Sequence, residues 1–184
     1  MRAGHAIAKD AVYADISQEF VDSLKCLQLH SQNTDREDYL LYPNKGRRLN
    51  DESLALLSAE GSHDKDVQVI IADGLSAWAA ERNVPELLSV LMKELSASGL
   101  THGEPLFARF ARVGIQDHVG VTLNAKSTVY CSASGPVLVL AIHSLPTLPL
   151  VRSLIRTTPR KTAFQISDSL DLNLPKLPLK SCKC

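Results

Sequence analysis

Asp73, Gly74 and Ser76 have the types and spacing to do chemistry, standing as Asp73-Gly74-Leu75-Ser76 directly behind the apolar run Val67-Gln68-Val69-Ile70-Ile71-Ala72. An acid, a glycine and a hydroxyl at a strand's end suit ligand binding, because open α/β sheets bind ligands outside the carboxyl ends of their strands. The same residues also suit helix capping and a tight turn, which is their commoner use. Gly74-Leu75-Ser76-Ala77-Trp78 lacks the closing glycine of a nucleophile elbow, and no Gly-x-Gly-x-x-Gly or phosphate-loop lysine occurs. Gly46-Arg47-Arg48, after Tyr42-Pro43-Asn44-Lys45, offers paired guanidinium groups. Such a pair clamps carboxylate or phosphate, bridges a subunit boundary, or, more commonly, forms a solvated basic loop. His5, His30, His63, His102, His118 and His143 show no His-x-x-x-His spacing, so no metal site is expected. Asp117-His118 reads as a helix start rather than an acid–base pair, and no residue is assigned a catalytic role.

The elements that must position these residues follow from periodicity. Phe20, Val21, Leu24 and Leu27 recur at helical spacing within 17–27, and a strand-like segment follows at Leu27–His30. Asp35-Arg36-Glu37-Asp38-Tyr39-Leu40 reads as a short helix with an acidic first turn, closed by Pro43 and Gly46. Asn50 or Asp51 caps a helix through Leu57 that stops near Gly61, and 67–72 is the strongest strand. A helix over 77–82 then gives way to a second one that starts near Pro85 and runs to about Ala97, since proline suits a first turn. Leu106–Val113 reads as a strand, Asp117–Leu123 as a helix and Ser127–Tyr130 as a strand. Strands alternating with helices predict an α/β fold: a mostly parallel, Rossmann-like sheet flanked by helices.

Composition narrows the function classes. The chain has 184 residues, the size of one domain, with 20 basic and 20 acidic side chains. That balance argues against a nucleic-acid binder. No apolar run reaches the roughly 18 residues that span a bilayer, so no membrane role is expected. The start at Met1-Arg2-Ala3-Gly4-His5-Ala6 has no apolar signal-like stretch, which makes the cytoplasm the expected compartment. Cys26, Cys131, Cys182 and Cys184 lack paired spacing and are expected as reduced thiols. The balance conceals unequal parts. Residues 131–184 carry seven basic groups against Asp168 and Asp171 alone, a net +5, while 1–130 carry 13 basic and 18 acidic groups, a net −5. Six of the nine prolines also lie after residue 131. Proline at that density interrupts helices and central strands, so little regular structure is expected there.

Several segments together resemble the small (light) subunit of ethanolamine ammonia-lyase. His5-Ala6-Ile7-Ala8-Lys9-Asp10-Ala11-Val12 is similar to that family's His-Ala-x-Ala-Arg/Lys-Asp-Ala-Val segment. Asp35-Arg36, Tyr39-Leu40, Pro43 and Gly46-Arg47-Arg48-Leu49 resemble its Asp-Arg-x-x-Tyr-Leu-x-Arg-Pro-Asp-x-Gly-Arg-Arg-Leu stretch, with Tyr42 in place of arginine and Asn44 in place of aspartate. Asp66–Ser76 resembles its strand and Asp-Gly-Leu-Ser turn, and Arg112–Gly120 its Arg-Val-x-x-x-Asp-x-Ile-Gly run. The resemblance spans residues 5–130 and implies a truncated amino terminus. It also implies a large-subunit partner in a hetero-oligomer, adenosylcobalamin with its cobalt shared between the subunits, and lyase activity converting ethanolamine to acetaldehyde and ammonia. By the same resemblance the small subunit closes over the cobalamin, Val113 is a cofactor contact, no residue here is catalytic, and the location is the cytoplasm or a bacterial microcompartment.

The resemblance lapses after residue 130, where the family continues Gly-Glu-Arg-Pro-Gly-Leu and later Asn-Cys-x-Ser-Asn-Ile. Codons for Cys131–Leu145 exist that, read from one base earlier, give Leu-Phe-Gly-Glu-Arg-Pro-Gly-Leu-Gly-Leu-Gly-Asp-Ser-Leu-Ser. Codons for Arg160–Ser167 likewise give Glu-Lys-Asn-Cys-Val-Ser-Asn-Ile in that shifted frame. The reading is therefore a partial cobalamin-clamping α/β domain over 1–130, and an irregular, out-of-frame tail over 131–184. It leaves residues 127–130 as an exposed sheet edge. The alternative is a stand-alone α/β ligand-binding module with a genuine basic interaction tail. A hydrolase is weaker still, for want of a nucleophile–base pairing.

Overall fold

A computed structural model describes residues 15–74, 77–134, 137–143 and 162–167. Helix α1 (Gln18–Ser23) starts at Ser17, whose side chain accepts from the Phe20 amide. It leads into β1 (Leu27–His30), and α2 (Arg36–Leu41) follows with Asp35 as its cap. A single 3-10 turn over Lys45–Arg47 precedes α3 (Asp51–Glu60), capped by Asn50. Then come β2 (Val67–Ala72), α4 (Ala77–Ala97), β3 (Leu106–Arg109), α5 (Ile115–Leu123), β4 (Ser127–Ser134), β5 (Val137–His143) and β6 (Thr162–Ser167). The sheet order is β1-β3-β2-β4-β5-β6. The first four strands are mutually parallel, β5 is antiparallel to β4, and β6 is parallel to β5. The fold is α/β, with a mostly parallel sheet flanked by helices.

Strand alternation builds two cores, one on each face. Val67, Val69 and Ile71 of β2 join Phe107, Val129, Cys131, Leu140 and Ile142 beneath α4 and Val21 of α1. Ile70 and Ala72 join Leu29, Leu106, Ala108, Tyr130 and Ala141 beneath α3 and α5, which contribute Leu57, Ile115, Val119 and Leu123. Burial on both faces explains why β2 is apolar at every position but one. Its one polar residue, Gln68, is buried, and its amide donates to the carbonyls of Val69 and Glu104.

Four expectations are corrected. The helix expected to break at Pro85 is continuous from Ala77 to Ala97. Ala77, Ala80, Val84, Leu87, Leu91 and Leu95 form one buried stripe at helical spacing, and burying such side chains at about 1.5–3 kcal/mol each outweighs the roughly 3 kcal/mol proline penalty. Strand β3 stops at Arg109 instead of Val113, because Phe110 turns into the left-handed region at φ +52°. Regular structure also continues after Cys131, in the rest of β4 and in β5 and β6. The run Val137-Leu138-Val139-Leu140-Ala141-Ile142 is apolar and β-branched, so it takes a strand whatever its origin. Its partner β4 is consequently interior to the sheet, and Val129 and Tyr130 are buried rather than at an exposed edge. Residues 144–161 and 168–184, with Cys182 and Cys184, and the His5–Val12 segment lie outside the described residues.

Candidate functional site

The carboxyl ends of the parallel strands form a rim, and the loops leaving β1, β2 and β3 meet there. Asp73 follows β2 immediately and is 1% exposed. Its Oδ1 accepts the Phe110 amide at 3.0 Å, and its Oδ2 lies 3.5 Å from Arg36 Nη2. Arg36, the first residue of α2, is buried and donates from Nη1 to the Gly74 carbonyl at 2.6 Å. Gly74 holds φ +56°, a conformation that suits glycine. Burial pushes the Asp73 carboxyl up to about 6, against the pull of the Arg36 guanidinium and the Phe110 amide. Asp73 ties the β2 turn to the β3 turn and to α2. Leu75 and Ser76 lie outside the described residues.

Tyr39 stands between two cations. The Arg36 guanidinium carbon lies 5.3 Å from its ring centroid and 5.4 Å from that of Phe110, and the Arg112 guanidinium lies 4.1 Å from the Tyr39 ring. Arg112 Nη2 also donates to the Tyr39 carbonyl at 2.7 Å. Both contacts are of cation–π type and strengthen where water is excluded.

The turn carrying Val113 is held from every side. The Phe110 carbonyl accepts from Ser31 Oγ at 2.7 Å and Asn33 Nδ2 at 3.1 Å, and the Ala111 carbonyl accepts from the Tyr130 hydroxyl at 2.9 Å. The Arg112 amide donates to the Gly46 carbonyl at 2.7 Å, and the Val113 carbonyl accepts from Gln116. A Cβ on Gly46 would stand 2.6 Å from Arg112 Cγ, so this close approach requires glycine. Val113 itself is half-buried, its side chain packed on the core under α5 while part of it faces solvent.

Arg47 and Arg48 are both exposed, beside this turn, as the solvated-loop reading expects. His118 is no acid–base partner of Asp117. Its Nδ1 accepts the Leu49 amide at 3.0 Å, which requires the neutral ring, and burial followed by the nearby Arg48 charge lowers its pKa. Cys26 and Cys131 are free thiols, both pushed up by burial. Among the described residues no three His, Cys, Asp or Glu side chains cluster to hold a metal, and no helix is long and apolar enough to cross a membrane.

The Arg36–Asp73–Phe110 node and the part of Tyr130 were not read from the residues. A signal was available for Asp73: an acid next to a buried, largely apolar strand is itself buried and needs a donor. Nothing local marked Phe110 or Tyr130.

These rim segments are also those that carry the resemblance. The family model described as Ethanolamine ammonia-lyase light chain (EutC) matches residues 1–135. The ethanolamine ammonia-lyase small subunit of Clostridium acetobutylicum is 34% identical over 135 residues, which is 73% of this chain and 56% of that protein. The ethanolamine ammonia-lyase small subunit of Fusobacterium nucleatum subsp. nucleatum is 36% identical over 141 residues, 77% of this chain and 48% of that protein. The chain thus spans about half the length of the curated relatives it matches. With the family model covering well over half of its length, the chain belongs to the ethanolamine ammonia-lyase light-chain family.

Proposed function

We propose that this chain is the small subunit of an adenosylcobalamin-dependent ethanolamine ammonia-lyase, and that its rim closes over cobalamin held by a large subunit in a hetero-oligomer. The observation that carries this reading is convergence. Arg36–Tyr39, Gly46–Leu49, Asp73–Gly74 and Arg112–Gly114, separate in sequence, meet at one end of the sheet where open α/β folds take ligands. The residues suit such a group: Val113 offers a half-buried apolar edge to a macrocycle, and Arg47 and Arg48 offer donors to its polar fringe. The chemistry that adenosylcobalamin supplies is hydrogen abstraction by a carbon-centred radical released from cobalt, here from ethanolamine on the way to acetaldehyde and ammonia. The chain's own part is to orient the cofactor and exclude water, and none of its residues is catalytic. The same reading places the complex in the cytoplasm or a bacterial microcompartment.

Residues 131–184 arise, in this reading, from a change of reading frame just before codon 131, and cofactor binding and activity of this chain are impaired for that reason. Support comes from the family match, which ends at residue 135, and from the glutamate-free, proline-rich, basic composition beyond 131. Strand β5 does not oppose it, since an apolar β-branched run adds to a sheet regardless of its history. The nucleotide sequence over codons 120–140 tests it, and an uninterrupted frame shared with relatives refutes it.

Absorbance titration with adenosylcobalamin in the presence of the large subunit tests the cofactor assignment. Weak but saturable binding, reduced about tenfold or more by Val113→Asp, is expected. Binding unchanged by that substitution contradicts the contact. Copurification separates this reading from a stand-alone module with a basic tail, which binds its ligand without the large subunit.

A further inference from the structure

Arg47 is a side chain whose stem the fold holds in place while, among the described residues, no carboxylate pairs with its charge. Its aliphatic carbons lie across Gly114: a Cβ on that glycine would stand 3.0 Å from Arg47 Cγ and 3.2 Å from Cδ. Gly114 is the residue next to Val113. The backbone beneath Arg47 is fixed as well, because its amide donates to the Asn44 carbonyl and the Gly46 carbonyl accepts from Arg112.

Two other cations of the rim are paired: Lys45 Nζ lies 2.7 Å from Asp38, and Arg36 3.5 Å from Asp73. Among the described residues no carboxylate pairs with Arg47 or with its exposed neighbour Arg48. Arg48 adds a second positive charge to the same stretch of rim, and its field already acts on His118.

We propose that Arg47 is a phosphate-contacting residue, and that its ligand is the phosphodiester of the cobalamin nucleotide loop; this rests on the cobalamin reading above. The chemistry selects that group. The corrin periphery presents neutral amides, whereas the nucleotide loop carries the phosphodiester's negative charge. A guanidinium matches phosphate oxygens with a planar fork of two parallel hydrogen bonds. A stem already seated on Gly114 loses less conformational freedom on binding than a free one. Val113 and Arg47 then divide the work: the valine meets an apolar edge of the cofactor, and the arginine fixes its orientation through the charged loop.

The test compares Arg47→Gln with the unaltered chain, each with the large subunit, in absorbance titrations with adenosylcobalamin and with adenosylcobinamide, which lacks the phosphodiester. Arg47→Gln is expected to weaken adenosylcobalamin binding about tenfold, to flatten its salt dependence, and to leave adenosylcobinamide binding unchanged. Equal weakening toward both ligands, or none toward either, overturns the proposal while the cobalamin reading stands. A second measurement follows the Arg47 Nε resonance of the chain alone as inorganic phosphate is added. A saturable shift of that resonance, retained in Arg48→Gln, supports the phosphate contact, and no shift overturns it. That shift in a chain whose complex shows no affinity for adenosylcobalamin overturns the assigned ligand, and the cobalamin reading falls with it.

Discussion

At the scale of single residues, the rim depends on a buried ion pair whose two halves serve different purposes. Arg36 holds the Gly74 carbonyl and stacks beside Tyr39 and Phe110, while Asp73 receives the Phe110 amide. Removing one partner of a buried pair strands the other's charge, so Arg36→Met is expected to destabilise the protein by about 3–5 kcal/mol in urea unfolding. A loss below about 1 kcal/mol shows that water already solvates the pair. The pH dependence has a definite sign. The folded-state pKa of Asp73, raised to about 6, exceeds its ordinary value of 3.8. Its contribution to stability is therefore full below 3.8 and is lost as pH rises through 6. The stability difference between the unaltered protein and Asp73→Asn is expected to fall by roughly 3 kcal/mol from pH 3.5 to pH 7, and a flat difference disproves the raised pKa.

At the scale of elements, α4 and the β3–α5 turn show local rules overridden by packing. Pro85 is exposed and stands eight residues inside α4, where it removes one hydrogen bond and crowds the preceding turn. Because the apolar stripe keeps the helix in place regardless, Pro85→Ala is expected to stabilise the protein by about 2 kcal/mol, raising its thermal midpoint by several degrees. No gain, or a loss, means that a local bend at Pro85 fits the sheet. The β3–α5 turn takes the opposite course. Phe110 leaves the strand in a left-handed conformation that a phenylalanine seldom adopts, and three hydrogen bonds with neighbouring loops and one from Tyr130 of β4 hold Phe110 and Ala111 there.

At the scale of the whole molecule, family membership covers residues 1–135, and the remainder adds strands without matching the family model. If the frame is altered, a gene with the ancestral frame restored after codon 130 encodes a chain that binds adenosylcobalamin at least tenfold more tightly with the large subunit, by the same titration. Equal affinity contradicts the impairment. Much of the molecule was legible in the residues alone. Asn50 before α3, Asp35 before α2 and the apolar run of β2 announce themselves, because capping and periodicity act within a few residues of chain. Strand order, the interior position of β4 and the joining of Arg36, Asp73 and Phe110 across 37 residues at each step were not legible. A parallel sheet brings together residues that follow different strands, and which strands become neighbours is decided by the crossovers and the two cores jointly. The residue types therefore determined the elements and the family, whereas only the tertiary packing decided that Asp73, a candidate helix cap, is the buried anchor of the rim.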